Sequence, residues 1–139
     1  MRFETKALPA ARDVVAPDGS DVRVLLALSR GSMAHFSLAP GQTSTAVRHR
    51  SVEEIWYVLS GRGEIWRQQE GQTDAIAALE AGICLTIPAG TRFQFRATGG
   101  EPLTAVAITM PPWPGDGEAE LVPGRWEADA TSAAGVTEA

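Results

Sequence analysis

The amino-acid sequence predicts an all-β domain, built as a sandwich or a barrel of short strands. Apolar runs of four to eight residues recur along the chain, and each is bounded by Gly, Pro or Asp. Runs of this length between turn residues are typical of strands, and none shows the 3.6-residue period of an amphipathic helix. At 139 residues the chain has the length of one domain.

Eight strands are predicted in chain order, each from its own apolar run. They are Val22–Leu28, Met33–Leu38, Glu54–Leu59, Gly63–Arg67, Ile76–Leu79, Cys84–Ile87, Phe93–Ala97 and Leu103–Met110. Ahead of them, Arg2–Leu8 is expected to form an edge strand. Cys84, the only cysteine, is expected to be a small buried hydrophobic residue.

Glycine and proline predict the corners between these strands. Glycine accepts a positive φ and proline presets a turn, so Pro40-Gly41, Ser60-Gly61 and Pro88-Ala89-Gly90 are expected to be tight turns. After the last strand the proline-rich run 110–115 cannot continue a ladder, because proline has no N–H group. We expect that run to fold back across the domain, with Trp113 as its anchor.

Charge is distributed unevenly between the two ends of the chain. The net charge is −5, and residues 116–139 hold six acidic residues against Arg125 alone. Residues 1–115 are balanced, with eleven acidic and eleven basic residues. We therefore expect an N-terminal arm or edge strand over 1–20, a barrel over 21–115 and a partly disordered acidic tail over 116–139.

Composition excludes several classes of partner. No basic stripe is present, which argues against nucleic acid as a partner. No apolar run approaches the ~20 residues of a membrane span, and the first ten residues lack the apolar core of a secretory signal. A single cysteine cannot form an internal disulfide. These features predict a cytoplasmic protein without a membrane partner.

The run Gly41–Gly61 resembles the first sequence motif of the cupin superfamily. That motif contains a glycine, a His-x-His pair, a glutamate and a closing glycine. His49 and Glu54 are in register with it, and Val47 stands where the first histidine belongs.

The run Gly82–Ala97 resembles the second cupin motif. Gly82 and Pro88 match it, whereas Phe93 stands at the histidine position and Ala97 at the asparagine position. The resemblance covers residues 20–112. It implies a double-stranded β-helix, which is a jelly-roll barrel, with a degenerate metal site and with a tendency to form homodimers.

The resemblance also implies which side chains line the interior of the barrel. Strand side chains alternate between two faces, so the position of His49 fixes the face of its neighbours. The predicted cavity is apolar and aromatic, with one histidine and one carboxylate. Its residues are Val47, His49, Glu54, Trp56, Phe93 and Phe95, with Trp113 as the residue contributed by the loop.

A metal site needs more ligands than this register supplies. Open catalytic sites use three or more protein ligands, and the motifs provide only His49 and Glu54. His35 is the only other histidine, and its facing is not fixed by the sequence. We expect no cofactor. The alternative is a divalent transition metal held by His35, His49 and Glu54.

Two functions follow from this interpretation. The first is binding of a small apolar or aromatic molecule in the barrel cavity. The second is a cupin enzyme of isomerase, epimerase, cyclase or oxygenase type, with His49 and Glu54 as an acid/base pair or as part of a rebuilt metal site. A purely structural alternative is that His49 and Glu54 pair with each other as a satisfied polar spot in an apolar interior.

Overall fold

The computed structural model describes residues 1–129, and this part of the chain consists of strands and loops without a helix. No helix that could span a membrane is found among these residues. The strands are β1 Val14–Val15, β2 Asp21–Leu28, β3 Gly31–Leu38, β4 Val47–His49, β5 Glu53–Ser60, β6 Gly63–Gln68, β7 Ala75–Leu79, β8 Cys84–Ile87, β9 Arg92–Ala97, β10 Leu103–Met110 and β11 Ala119–Leu121. The prediction of an all-β fold is confirmed.

The strands form two antiparallel sheets that enclose one core. The larger sheet has the order β1-β2-β3-β10-β5-β8, and the smaller has the order β11-β4-β9-β6-β7. Sequence neighbours such as β4 and β5 lie in different sheets, which is the jelly-roll arrangement of a double-stranded β-helix.

Side-chain alternation decides what each sheet buries. Along β5 exposed and buried positions alternate from Glu53 to Leu59, and along β10 every second residue from Leu103 is buried. The inward residues of both sheets form a single hydrophobic cluster. Its largest fully buried members are Phe93, Phe95, Leu38, Ile65, Ile87 and Leu103.

The predicted turn at Gly61 is confirmed, and it requires glycine for two reasons. Its φ is +84°, a left-handed conformation that other residues rarely adopt. A Cβ atom at this position would also lie 2.3 Å from the carbonyl oxygen of Pro102. The chain therefore passes from β5 to β6 through a point where no side chain fits.

The predicted edge strand Arg2–Leu8 is wrong, because the short N-terminal strand is Val14–Val15 instead. Beyond the two residues that pair with β1, side chains contact the backbone at this edge of β2. The backbone N–H of Val24 donates to Asp13 Oδ2 at 2.8 Å, and Lys6 Nζ donates to the carbonyl oxygen of Val24 at 2.8 Å. These groups would otherwise have paired with an added strand.

The prediction that Cys84 is buried is also wrong. Cys84 is exposed, because the period of β8 turns Leu85 and Ile87 into the core and leaves Cys84 and Thr86 on the outer surface. Only the alternate members of this apolar run are therefore buried.

The smaller sheet continues into the segment that was expected to be an acidic tail. Residues Ala119–Leu121 form β11 and pair with β4, so that Ala119 lies opposite His49. Further along, the Gln94 side chain donates to the Trp126 carbonyl oxygen and accepts from the Trp126 N–H, both at 2.8 Å. The prediction of disorder for residues 130–139 lies outside the described residues.

Candidate functional site

A cavity of about 130 Å³ lies between the two sheets. Aromatic rings from three strands and one loop form much of its wall, and these are Phe36, Trp56, Phe93 and Trp113. Polar residues also line the cavity, and they are Asp18, Ser20, Ser32, His49, Glu54 and Thr109. An apolar enclosure with a few converging polar groups is the usual character of a small-molecule site.

The structure brings six of the seven predicted cavity residues to this lining, namely Val47, His49, Glu54, Trp56, Phe93 and Trp113. The seventh, Phe95, is fully buried behind the wall. Its ring packs edge to face on Trp56 with a centroid distance of 5.1 Å, and on Phe36 at 5.7 Å. Phe95 therefore supports the wall from outside the lining.

His49 is enclosed by aromatic rings. Its side chain ends β4 pointing inward, and the residue is 5% exposed. The imidazole packs edge to face on Phe93 at a centroid distance of 5.3 Å and on Trp113 at 4.9 Å. The proline-rich loop thus brings Trp113 against the cavity histidine.

Glu54 faces His49 across the turn between β4 and β5. Oε2 of Glu54 lies 3.2 Å from Nδ1 of His49, although Nδ1 makes no hydrogen bond with the described residues. Oε1 of Glu54 accepts a 2.6 Å hydrogen bond from Nε1 of Trp56, two residues along the same strand. The carboxyl group is therefore held in place by Trp56 and lies within contact distance of the imidazole.

The turn that sets this spacing is held by the C-terminal segment. Glu118 is buried, and its carboxylate accepts hydrogen bonds from the backbone N–H of Ser51 at 2.7 Å and of Val52 at 2.6 Å. Together with the Ser51 hydroxyl, these donors hold the pKa of Glu118 below its usual value despite the cost of burial. Sequence reasoning assigned Glu118 to a solvated tail and missed this role.

Burial moves the proton affinities of the two facing groups in opposite directions. Desolvation raises the pKa of Glu54 from 4.5 to about 7. Desolvation lowers the pKa of His49 from 6.5 to about 4, against the attraction of the Glu118 charge. Between these values the carboxyl group holds the proton and the imidazole is neutral. The contact between His49 and Glu54 is then one between uncharged groups and not an ion pair.

Asp18 is a second carboxyl group of the cavity, and sequence reasoning missed it. It lies in the turn between β1 and β2, where Oδ1 accepts from the N–H of Ser20 at 2.9 Å and from its hydroxyl at 2.7 Å. Burial raises the pKa of Asp18, and its charge contributes to the raised pKa of Glu54. The sequence Pro-Asp-Gly-Ser indicates a turn, but no local pattern places that turn against β5.

The residues present do not fit a cupin-type metal. Inward Phe36 and Leu38 place His35 on the opposite face of β3, where it pairs in register with Arg23 and Val106. His35 is therefore not brought to His49 and Glu54. Within residues 1–129, no three His, Cys, Asp or Glu side chains are grouped so as to hold a metal ion.

Apolar residues fill the positions where metal ligands were expected from the motifs. Val47 and Phe93 are paired directly across β4 and β9, and each is 1% exposed. Neither side chain offers an atom that could bind a metal ion, so an apolar pair within the smaller sheet takes the place of two ligands.

Comparison with known proteins agrees with this architecture. The family model described as the cupin domain matches residues 34–109, which is more than half of the chain. A protein of Klebsiella pneumoniae with a double-stranded β-helix domain superposes with a TM-score of 0.61 at 23% identity, covering 76% of this chain and 85% of that one. A comparison with curated proteins finds no match.

Two further structures show the range of proteins that share the fold. A Bacillus halodurans protein has a TM-score of 0.62 at 22% identity, with 78% of this chain and 80% of that chain covered. Oxalate decarboxylase from Bacillus subtilis has a TM-score of 0.63 at 17% identity, covering 71% of this chain. The match spans only 28% of the decarboxylase chain. At these identities the likeness establishes the fold alone.

The dependence of stability on pH tests whether burial shifts the pKa values of Glu54 and His49 in opposite directions. The raised pKa of Glu54 adds to the free energy of unfolding below pH 4.5, and this stabilisation is lost as pH rises to about 7. The lowered pKa of His49 adds to the free energy of unfolding above pH 6.5, and this stabilisation is lost as pH falls to about 4. In the wild type the two contributions cancel over much of this range, because folding moves one proton from His49 to Glu54.

Single variants should uncover each contribution. In Glu54→Gln the free energy of unfolding should fall as pH is lowered from 6.5 to 4, and in His49→Gln it should fall as pH is raised from 4.5 to 7. Each change should be on the order of 2–3 kcal/mol, as measured by denaturant unfolding across the pH range. Glu53→Gln, an exposed neighbour on β5, is the control and should follow the wild type. Identical pH profiles for all four proteins would contradict the assignment.

Proposed function

The chain belongs to the cupin family, and we propose that the cavity between its two sheets binds a small apolar or aromatic molecule. The observation that carries the proposal is an aromatic-walled cavity of about 130 Å³ at the place where the motifs would put a metal. A closed apolar cavity of roughly 150 Å³ accepts benzene. The cavity is therefore suited to a ligand with a single ring of five or six atoms.

The walls of this cavity are fixed before any ligand arrives. Phe36 and Trp56 pack edge to face at a centroid distance of 4.6 Å, and Trp56 and Phe93 at 5.8 Å. Both arrangements are favourable for aromatic pairs and restrict rotation of each ring. A preformed site costs little ordering on binding, which favours affinity for a small ligand.

A second candidate function is proton transfer to and from a bound ligand. The observation that favours it is the contact between Glu54, with its pKa raised to about 7, and a neutral His49 in the same cavity. Two groups whose environments separate their proton affinities can serve as acid and base near neutral pH. Isomerisation, epimerisation and cyclisation of a carbonyl compound need both roles, and none requires a metal.

We also propose that the chain forms a homodimer through the outer face of the larger sheet. Register places Val106 beside Tyr57, and Ile108 beside Ile55 and Met33, all on that outer face. Met33, Ile55 and Tyr57 are 40%, 39% and 49% exposed. These five positions carry no charge, so two copies of the face can meet without like-charge repulsion.

Filling the cavity should abolish ligand binding. Ala107, inward on β10 and part of the lining, is the position to enlarge, because Ala107→Leu adds three carbon atoms to the space. In ligand-observed NMR with benzene derivatives bearing neutral, cationic and anionic groups, the wild type should bind at least one compound. Ala107→Leu should weaken that binding by about tenfold or more.

Ala78→Leu on the exposed side of β7 is the matched control and should bind as the wild type does. Failure of every compound to bind the wild type, or equal binding by Ala107→Leu, would contradict the proposal.

Exchange of ligand protons with solvent tests the proton-transfer candidate. A cyclic ketone such as cyclopentanone, incubated with the protein in D₂O, should lose α-protons faster than in buffer, with the rate read by proton NMR. Glu54→Gln and His49→Gln should each reduce the enzyme-dependent rate by about 10²-fold or more. Glu53→Gln should leave it unchanged. A wild-type rate equal to that in buffer would remove this candidate and leave ligand binding untouched.

Light scattering coupled to size exclusion tests the dimer. The wild type should elute with twice the chain mass of 14.7 kDa. Tyr57→Asp, near the centre of the proposed interface, should elute as a monomer, because it would bury an unpaired charge. Ile76→Asp changes a comparably exposed apolar residue on the smaller sheet and should remain dimeric. A monomeric wild type, or loss of the dimer in both variants, would contradict this interface.

A further inference from the structure

Among residues 1–129, the side chains that line the cavity include two carboxyl groups and no lysine or arginine. The two carboxyl groups are those of Asp18 and Glu54. The third titratable group of the lining is His49, which burial keeps in its neutral form. The Glu118 carboxylate also acts on His49 and adds further negative charge. The ionisable groups in and around the cavity are therefore either neutral or negatively charged.

The carboxyl group of Asp18 is held in place by Ser20. Its Oδ1 accepts both hydrogen bonds from Ser20, at 2.9 Å and 2.7 Å. The Asp18 carboxyl group also lines the cavity, so a ligand bound there can donate to it. An acceptor next to a mainly apolar cavity is costly to leave without a donor.

Glu54 presents a similar arrangement. Its Oε1 accepts from Trp56, and its Oε2 lies 3.2 Å from Nδ1 of His49. His49 is 5% exposed, and its Nδ1 is a buried polar atom that makes no hydrogen bond within the described part of the chain. The carboxyl groups of Asp18 and Glu54 are also close enough to interact, since the charge of Asp18 acts on Glu54.

The aromatic walls suit a cation in the same space. The electron-rich faces of Trp rings attract ammonium groups, and both Trp56 and Trp113 line the cavity. An ammonium group brought out of water requires anionic partners and hydrogen-bond acceptors. A bound ammonium group would favour the ionised form of both Asp18 and Glu54, whose carboxylate oxygens would then be its anionic partners and its acceptors.

We propose that the ligand is a small organic cation, a primary or secondary amine on a single ring, whose ammonium group lies between Asp18 and Glu54. This inference depends on the proposed binding function and names the chemical class of its ligand. A carboxylate ligand would meet two acidic groups without a cationic donor. A neutral alcohol could donate to one carboxyl oxygen but not to both.

Isothermal titration at pH 7.5 with three compounds of one size tests the inference. Benzylamine should bind the wild type at least about tenfold more tightly than benzyl alcohol, and benzoate should show no binding. Asp18→Asn keeps the Oδ1 acceptor for Ser20 and removes the charge. This variant should lose about tenfold in affinity for benzylamine while its affinity for benzyl alcohol changes by less than about twofold.

Asp21→Asn is the matched control. Asp21 is a partly exposed carboxylate paired with Arg12 at 2.9 Å, and it lies outside the cavity lining, so the variant carries the same change of net charge. It should bind all three compounds as the wild type does. An equal loss of benzylamine affinity in Asp21→Asn would assign the effect to overall charge and overturn the inference.

The remaining outcomes separate this inference from the function on which it depends. Benzyl alcohol binding as tightly as benzylamine, or benzoate binding best, would overturn the amine and leave a ligand-binding cavity in place. No binding by any of the three would contradict both. If Asp18→Asn fails to fold, Glu54→Gln decides: a lower ratio of benzylamine to benzyl alcohol affinity supports the inference, and an unchanged ratio overturns it.

Discussion

Burial of Glu54 and His49, in a cavity whose described lining includes no lysine or arginine, is the constraint on which the rest of the site depends. Moving an ionised carboxylate or imidazolium into an apolar enclosure is costly, and their mutual attraction offsets this only with good hydrogen-bond geometry. Nδ1 of His49 makes no hydrogen bond with the described residues, so the pair stays uncharged between about pH 4 and about pH 7. A neutral acid and a neutral imidazole then become features to which a ligand can bind, instead of a closed ion pair.

The fold produces this constraint by simple means. Alternation along β4, β5 and β9 turns His49, Glu54 and Phe93 to the same interior. The C-terminal segment then fixes the turn between β4 and β5 through Glu118, and the loop after β10 lays Trp113 against the imidazole. A cavity with one polar side is the result of packing from both sheets and two loops.

The alternation of side chains along each strand was sufficient to predict several of the cavity-lining residues from the sequence. The positions of Val47, Trp56 and Phe93 relative to His49 and Glu54 follow from strand periodicity once the motifs set the register. Cys84 and Arg2–Leu8 were mispredicted because the facing of a short apolar run, and the presence of a partner for an edge, depend on neighbouring strands.

Contacts between distant segments explain what the sequence left undetermined. Asp18 reaches the cavity from a turn 36 positions before Glu54, and Glu118 reaches its own hydrogen-bond partners from 66 and 67 positions away. The facing of His35 was likewise set only by the register of β3 against β2 and β10. No periodic pattern encodes such pairings, and these groups determine the charge of the cavity.

The most direct test of this account is the protonation state of His49, followed by ¹⁵N NMR of the imidazole ring during a pH titration. The chain has only two histidines, so a His35→Gln variant assigns the signals. The account predicts that His49 remains neutral until the pH falls to about 4. Protonation near pH 6.5 or above would show that the imidazole is solvated or held in an ion pair with Glu54, and it would contradict the neutral imidazole on which both proposals for the ligand depend.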